Sequence, residues 1–106
     1  MSGVCHYDPC FSFEEFYCTW YSARNKKENI HLYTGNATDL INNIKIVDFN
    51  YKDDKEKNYK VGFIADDTHE IFSSKNRNIM DGYNCIGMLL KSVQELDARI
   101  KDLENV

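Results

Sequence analysis

Cysteine and histidine are the side chains of this chain that could bind a metal ion. The 106 residues include four cysteines and three histidines, and one group lies near the N-terminus: Cys5, His6, Cys10 and Cys18. A structural zinc ion is usually held by two closely spaced pairs of such ligands. The cysteines of this group are widely spaced and lack a second close pair. The pattern favours reduced, half-buried thiols with no metal or cofactor, and a small zinc-binding adaptor is the alternative.

Acidic side chains form the second group that could do chemistry. Asp66 and Asp67 precede a short apolar stretch, where a carboxylate commonly caps a helical turn. Asp53, Asp54 and Glu56 fall in a polar run between two alternating segments, and we expect them to face solvent. These residues therefore indicate local structure more than acid–base catalysis.

Length, composition and charge limit the classes of protein to consider. A chain of 106 residues with 42% hydrophobic and 28% charged residues is typical of one globular domain. The net charge of −4 and a basic run of only Arg24, Lys26 and Lys27 argue against a nucleic-acid partner. No apolar stretch is long enough to cross a membrane, and the N-terminus lacks a secretory leader. We therefore expect folding in a cytoplasmic environment with reduced thiols.

Two short helical segments are predicted in the middle of the chain. Asn36 can cap a helix whose apolar side chains would point inward. These side chains are Leu40, Ile41 and Ile44. Farther along, Asp67 or Thr68 could cap a single turn that carries Ile71 and Phe72.

A β-hairpin is predicted between the two helical segments. Apolar and polar side chains alternate over residues 47–52 and again over residues 59–64. The charged run 53–58 separates the two segments. Alternation with period two on both sides of a polar loop is typical of a strand, a loop and a second strand.

The C-terminal segment has the strongest pattern in the sequence. From about Asp81 onward the chain contains no proline and predicts one long helix. Six apolar residues, which we call the heptad stripe, follow the 3–4 spacing of a and d positions in a coiled coil. They are Ile86, Leu89, Val93, Leu96, Ile100 and Leu103. The stripe is narrow, which favours self-association over packing on its own domain.

Charged residues and a glycine add detail to this helix. Arg99 and Glu104 fall at g and e positions, so they could pair across two parallel chains. Glu95 with Arg99 and Asp97 with Lys101 are spaced for ion pairs within the helix. Gly87 weakens the helix, which suggests close approach of another backbone.

Three blocks of sequence, taken in order, resemble a known family. They are Ser22-Ala-Arg-Asn-Lys-Lys-Glu-Asn-Ile30, then Phe49-Asn-Tyr51 with Val61-Gly-Phe-Ile-Ala-Asp66, then the segment Met80 to Leu96. The sequence resembles the C-terminal intramolecular chaperone domain of endosialidase-type phage tail spikes and tail fibres, which is related to a domain of myelin regulatory factor. The resemblance covers about residues 22–106. Residues 1–21, which are rich in aromatic side chains and cysteine, would then be the end of a fibre or an N-terminal packing arm.

The resemblance implies a function and a set of residues. A domain of this kind trimerises, aligns three copies of an upstream fibre or spike and is released by its own Ser–Lys pair. On this sequence the catalytic residues would be Ser22 and Lys27, and the cleaved bond would be Tyr21–Ser22. In this chain Ala23 follows the serine, where the family usually has an acidic residue. The partners would be two further copies of the chain and the upstream fibre or spike.

The expected fold class is α+β, with a short helix, a β-hairpin and a long C-terminal helix in a homotrimeric coiled coil. The a and d side chains alone would favour two strands, and the number three comes from the resemblance. The expected location is the bacterial host cytoplasm during assembly, or the virion tail if no cleavage occurs. A tip domain that is retained uncleaved on the fibre is the alternative function.

A Ser–Lys pair makes specific demands on the local structure. A serine hydroxyl is a weak nucleophile until a base takes its proton. A lysine can be that base only when neutral, so its ordinary pKa of about 10.4 must fall by several units. Burial and nearby positive charge both lower a lysine pKa. A spacing of five does not bring two side chains together on an α-helix, so an irregular turn or a neighbouring subunit must do so.

Overall fold

The computed structural model describes residues 21–106, and the chain divides into two compact units between Thr34 and Gly35. The described residues of the first unit, 21–34, include a short 3₁₀ turn, Arg24–Lys26. The second contains α1 (Ala37–Asn42), β1 (Val47–Phe49), β2 (Lys60–Gly62), a 3₁₀ turn (Ala65–Asp67), α2 (Glu70–Ser73) and α3 (Gly82–Glu104). This α+β architecture is the one predicted. Cys5, His6, Cys10 and Cys18 lie outside the described residues, so the zinc alternative stays a prediction.

The start of α1 is set by its cap, as the sequence predicts. The side chain of Asn36 accepts a hydrogen bond of 3.1 Å from the backbone N–H of Asp39. The apolar side chains predicted to point inward are partly buried against the core. Among the described residues, the buried apolar side chains are few and form one cluster of Ala37, Phe72 and Met88. A core of this size leaves much of the apolar surface exposed.

The hairpin forms where it was predicted, with shorter strands. β1 and β2 are antiparallel, and Val47 pairs with Gly62, Asp48 with Val61. Because directly paired residues share a face of the sheet, Val61 lies on the face of Asp48 and is 72% exposed. Gly62 lies next to the ring of Phe49. A Cβ atom added to Gly62 would lie 3.2 Å from this ring, which is a tight contact.

The charged loop of the hairpin is stabilised by hydrogen bonds to one of its own side chains. The carboxylate of Asp54 accepts hydrogen bonds from the backbone N–H groups of Glu56, at 3.0 Å, and Asn58, at 2.8 Å. Asp53 and Glu56 are exposed, as expected, whereas Asp54 is partly buried. Asp54 therefore shapes the turn in addition to meeting solvent.

The prediction for the cap of α2 was wrong. The cap is His69, whose Nδ1 accepts a hydrogen bond of 3.1 Å from the backbone N–H of Ile71. Asp67 is the last residue of the preceding 3₁₀ turn. The hydroxyl of Thr68 donates backward to the carbonyl of Ile64 at 2.7 Å. Asp67 and Thr68 thus form the end of the 3₁₀ turn. For this reason α2 begins later in the sequence than predicted.

The C-terminal helix begins and ends close to the predicted positions. The side chain of Asp81 caps α3 by accepting a hydrogen bond of 2.9 Å from the backbone N–H of Asn84. The helix continues for 23 residues and packs against α1 and α2. Asp97 and Lys101 form the predicted ion pair at 3.0 Å. Among residues 21–106, no helix is long and apolar enough to span a membrane.

Candidate functional site

Ser22 and Lys27 are in direct contact. Lys27 Nζ donates a hydrogen bond of 2.8 Å to Ser22 Oγ. This distance lies within the range that lets a base take a proton from a nucleophile. Both side chains are exposed in the single chain. The two residues named from the resemblance thus have the contact that a Ser–Lys pair needs.

A 3₁₀ turn explains how a spacing of five gives this contact. The backbone N–H of Lys26 donates to the carbonyl of Ala23 at 3.0 Å, and that of Lys27 donates to the carbonyl of Arg24 at 3.1 Å. Ala23 and Lys27, on either side of the turn, have extended backbone angles. The tight turn reverses the chain and brings Lys27 back to Ser22, as the irregular geometry predicted for this spacing requires.

Tyr21, which precedes Ser22, lies close to a lysine of this turn. The ammonium group of Lys26 lies 5.4 Å from the centroid of the Tyr21 ring, which is a cation–π distance. The Tyr21 side chain is half exposed. Both residues of the Tyr21–Ser22 peptide bond are therefore contacted by lysines of the turn.

The heptad stripe is the second candidate site, and all six of its side chains are exposed. Their exposed fractions range from 43% for Leu96 to 73% for Leu103. The face of α3 that packs on the second unit is a different one, centred on Met88, Ser92 and Glu95. At 3.6 residues per turn the two faces lie about 100° apart around the helix axis. The helix packs on its own unit mainly through this second face.

Glu95 fixes which face of α3 is turned inward. Its carboxylate accepts hydrogen bonds from the backbone N–H groups of Ala37, at 3.0 Å, and Thr38, at 2.8 Å, and from the Thr38 hydroxyl at 2.6 Å. The Thr38 hydroxyl also lies 3.2 Å from that of Ser92. The hydrogen bonds from the Thr38 side chain, then from the backbone of Thr38 and Ala37, lower the pKa of Glu95 from 4.5 to about 2.

This connection was missed by the sequence analysis, which paired Glu95 with Arg99. Glu95 and Thr38 are 57 residues apart, and no spacing rule joins them. A signal was present, because Ser92 and Glu95 both lie in the third block that carried the resemblance. Both carboxylate oxygens are directed to α1 instead of to the next turn of α3.

The remaining predicted residues have clear positions. Cys85 is partly buried, and burial, followed by the nearby Asp81 carboxylate, raises the pKa of its thiol. No described atom lies within 4 Å of a Cβ built on Gly87, its own helix backbone aside, so approach of another chain there stays a prediction. In the described part of the chain, no three His, Cys, Asp or Glu side chains are grouped to hold a metal ion.

Comparison with known proteins identifies the family. Residues 22–76 match the family described as chaperone of endosialidase. No curated protein and no solved structure matches the chain. The match begins at Ser22, includes Lys27 and ends before α3, so the third block of the resemblance lies beyond it. Because it covers more than half of the 106 residues, the chain belongs to the chaperone of endosialidase family.

Proposed function

We propose that this chain is the intramolecular chaperone of a phage or prophage tail fibre or spike. In this proposal three copies associate through α3 and align three copies of the upstream fibre. The chaperone is then released by one cut at the Tyr21–Ser22 bond. The observation that carries the proposal is the exposure of the whole heptad stripe on a helix that already packs on its own unit through another face.

The stripe gives a driving force for association. A Leu, Ile or Val side chain contributes about 1.5–3 kcal/mol when it passes from full exposure to full burial. Each chain offers six such side chains at a and d positions. Because they are 43–73% exposed, each would contribute about half of that amount. Arg99 and Glu104 are both exposed at the edges of the stripe, where a parallel neighbour would bring them together. The number of chains, three, is taken from the resemblance.

Cleavage would begin with attack on the peptide bond that precedes the serine. Lys27 Nζ takes the proton of Ser22 Oγ, and Oγ forms a bond to the carbonyl carbon of Tyr21. The bond from that carbon to the Ser22 nitrogen breaks, and the nitrogen takes the proton from Lys27. The result is an ester between Tyr21 and Ser22 Oγ, with a free amine on Ser22.

Water would complete the reaction. Lys27 takes a proton from a water molecule, whose oxygen adds to the ester carbon. Ser22 Oγ leaves and takes that proton back. The sum is the addition of one water molecule to the Tyr21–Ser22 bond, which gives a carboxylate on Tyr21 and restores the serine hydroxyl.

Assembly and cleavage would be coupled. An ammonium group loses its proton more readily when it is desolvated or lies beside other positive charges. Arg24 and Lys26 supply charge next to Lys27 in sequence, and a neighbouring subunit would supply the desolvation that the exposed pair lacks in one chain. We therefore expect cleavage to follow association, in the cytoplasm of the bacterial host.

A fusion protein tests the release step. A trimeric fibre segment is placed before Met1, and the intact mass is followed after expression. We expect the chain to break between Tyr21 and Ser22, and Ser22→Ala and Lys27→Met to leave full-length chains that still associate. Because the two residues act as a unit, the double variant should be no worse than either single one. An unmutated fusion that associates and stays whole would contradict release and assign a tip domain that remains on the fibre.

A further inference from the structure

Two successive lysines contact the two residues that flank the proposed cleavage site. Lys27 Nζ binds Ser22 Oγ at 2.8 Å, and Lys26 Nζ lies 5.4 Å from the Tyr21 ring centroid. Each pair is separated by five positions, and both lysines are held by the same 3₁₀ turn. The two lysines therefore contact the nucleophile and also the residue whose carbonyl carbon is attacked.

We propose that Lys26 is a positioning residue that holds the Tyr21 ring and makes the site prefer an aromatic residue before the cleaved bond. The inference rests on the proposed cleavage at Tyr21–Ser22. The chain itself would then contain its own binding site for the residue on the upstream side of the bond, formed by Lys26 of the 3₁₀ turn.

The physical reason lies in the geometry of the attack. Ser22 Oγ must approach the Tyr21 carbonyl carbon from above the plane of the peptide, so the dihedral angles on both sides of the bond must be restricted. A hydroxyl held by Lys27 restricts the Ser22 side, and a ring held by Lys26 restricts the Tyr21 side. Restriction of this kind raises the fraction of molecules ready to react.

The strength of the contact sets the size of the effect. A cation–π pair at an exposed site is a modest interaction, and Tyr21 is 50% exposed. We expect its loss to slow cleavage by about two- to fivefold, given the usual strength of such pairs. An aromatic ring of any kind would retain the contact, since the attraction comes from the face of the ring.

Cleavage rates of the fusion protein test the inference. We expect Tyr21→Leu and Lys26→Met each to slow the cut by about two- to fivefold, and the double variant to be no slower than the slower single one. Tyr21→Phe and Lys26→Arg should restore most of the rate. Lys45→Met, which removes an exposed lysine of the second unit, is the matched control. The mass of each variant in solution verifies that it still associates.

The pH dependence of the rate separates positioning from a simple charge effect. If Lys26 holds Tyr21, then Tyr21→Leu lowers the rate at every pH and leaves the midpoint of the profile in place. A Lys26→Met variant with a shifted midpoint and an unchanged plateau would overturn the inference, as would a Tyr21→Leu variant with an unchanged rate. An unmutated fusion that stays whole would instead contradict the proposed function, and this inference with it.

Discussion

Glu95 of α3 and Thr38 of α1 are joined by a hydrogen bond of 2.6 Å between carboxylate and hydroxyl. The same carboxylate accepts hydrogen bonds from the backbone N–H groups of Ala37 and Thr38. These N–H groups lie in the first turn of α1, where no backbone carbonyl of the helix is available to them. One side chain thus satisfies the start of α1 and sets the rotation of α3 about its axis. This rotation leaves the heptad stripe exposed.

The stability of the chain should depend on pH through Glu95. Its pKa is lowered from 4.5 to about 2, so the folded state binds the proton less readily than the unfolded state. Its contribution is therefore present above pH 4.5 and is lost as the pH falls toward 2. We expect Glu95→Gln to lower the urea midpoint at pH 7, and the difference from the unmutated chain to shrink between pH 4.5 and 2.

Asp102→Asn, an exposed position on the same helix and outside the heptad stripe, is the control for this measurement. It should leave the midpoint nearly unchanged at pH 7. A Glu95→Gln variant with unaltered unfolding at pH 7 would mean that the contact between α3 and α1 does not stabilise the fold.

Ser74 carries strain that a glycine should relieve. Its backbone has φ 68° and ψ 169°, a region that is open essentially to glycine alone. Its hydroxyl is buried and has no hydrogen-bond partner among residues 21–106. We expect Ser74→Gly to raise the free energy of unfolding by about 1 kcal/mol. Ser74→Ala removes only the hydroxyl and should raise the free energy of unfolding by less. If both variants raised it equally, the buried hydroxyl and not the backbone conformation would be the source of the destabilisation.

Charges in the heptad stripe should prevent both association and cleavage. Leu96→Asp with Ile100→Asp would place unpaired carboxylates in the interface, where burial of a charge is costly. We expect single chains by light scattering, and an uncut fusion although Ser22 and Lys27 are intact. Gln94→Asp with Ala98→Asp has the same spacing and charge on exposed positions outside the stripe, so it should associate and be cut. If the dissociated Leu96/Ile100 variant were cleaved at the normal rate, cleavage would not depend on association, which contradicts the prediction.

Local patterns predicted the elements of the fold well. The cap Asn36, the position of the hairpin and the start of α3 near Asp81 all depend on residues a few positions apart. Contacts between distant segments were not predictable in this way. Glu95 was paired with the wrong partner, and the register that pairs Val61 with Asp48 was not predicted, because strand register and helix rotation are set by packing.

The Ser–Lys pair depended on a different kind of information. A serine and a lysine five positions apart are common, and only the resemblance singled out Ser22 and Lys27. The structure adds a 3₁₀ turn and a contact of 2.8 Å. The cation–π contact of Lys26 with Tyr21 had no counterpart in the sequence pattern, because an irregular turn follows no spacing rule.

Sedimentation equilibrium of the Ser22→Ala chain tests the central claim most directly. The substitution keeps every chain whole, so each has a mass of close to 12.4 kDa. We expect a single species of about three times that mass at micromolar concentration, because the exposed heptad stripe is buried only when chains associate. A mass of one chain would contradict self-association through α3. A mass of two chains would show that the a and d side chains, and not the family analogy, decide the number of subunits.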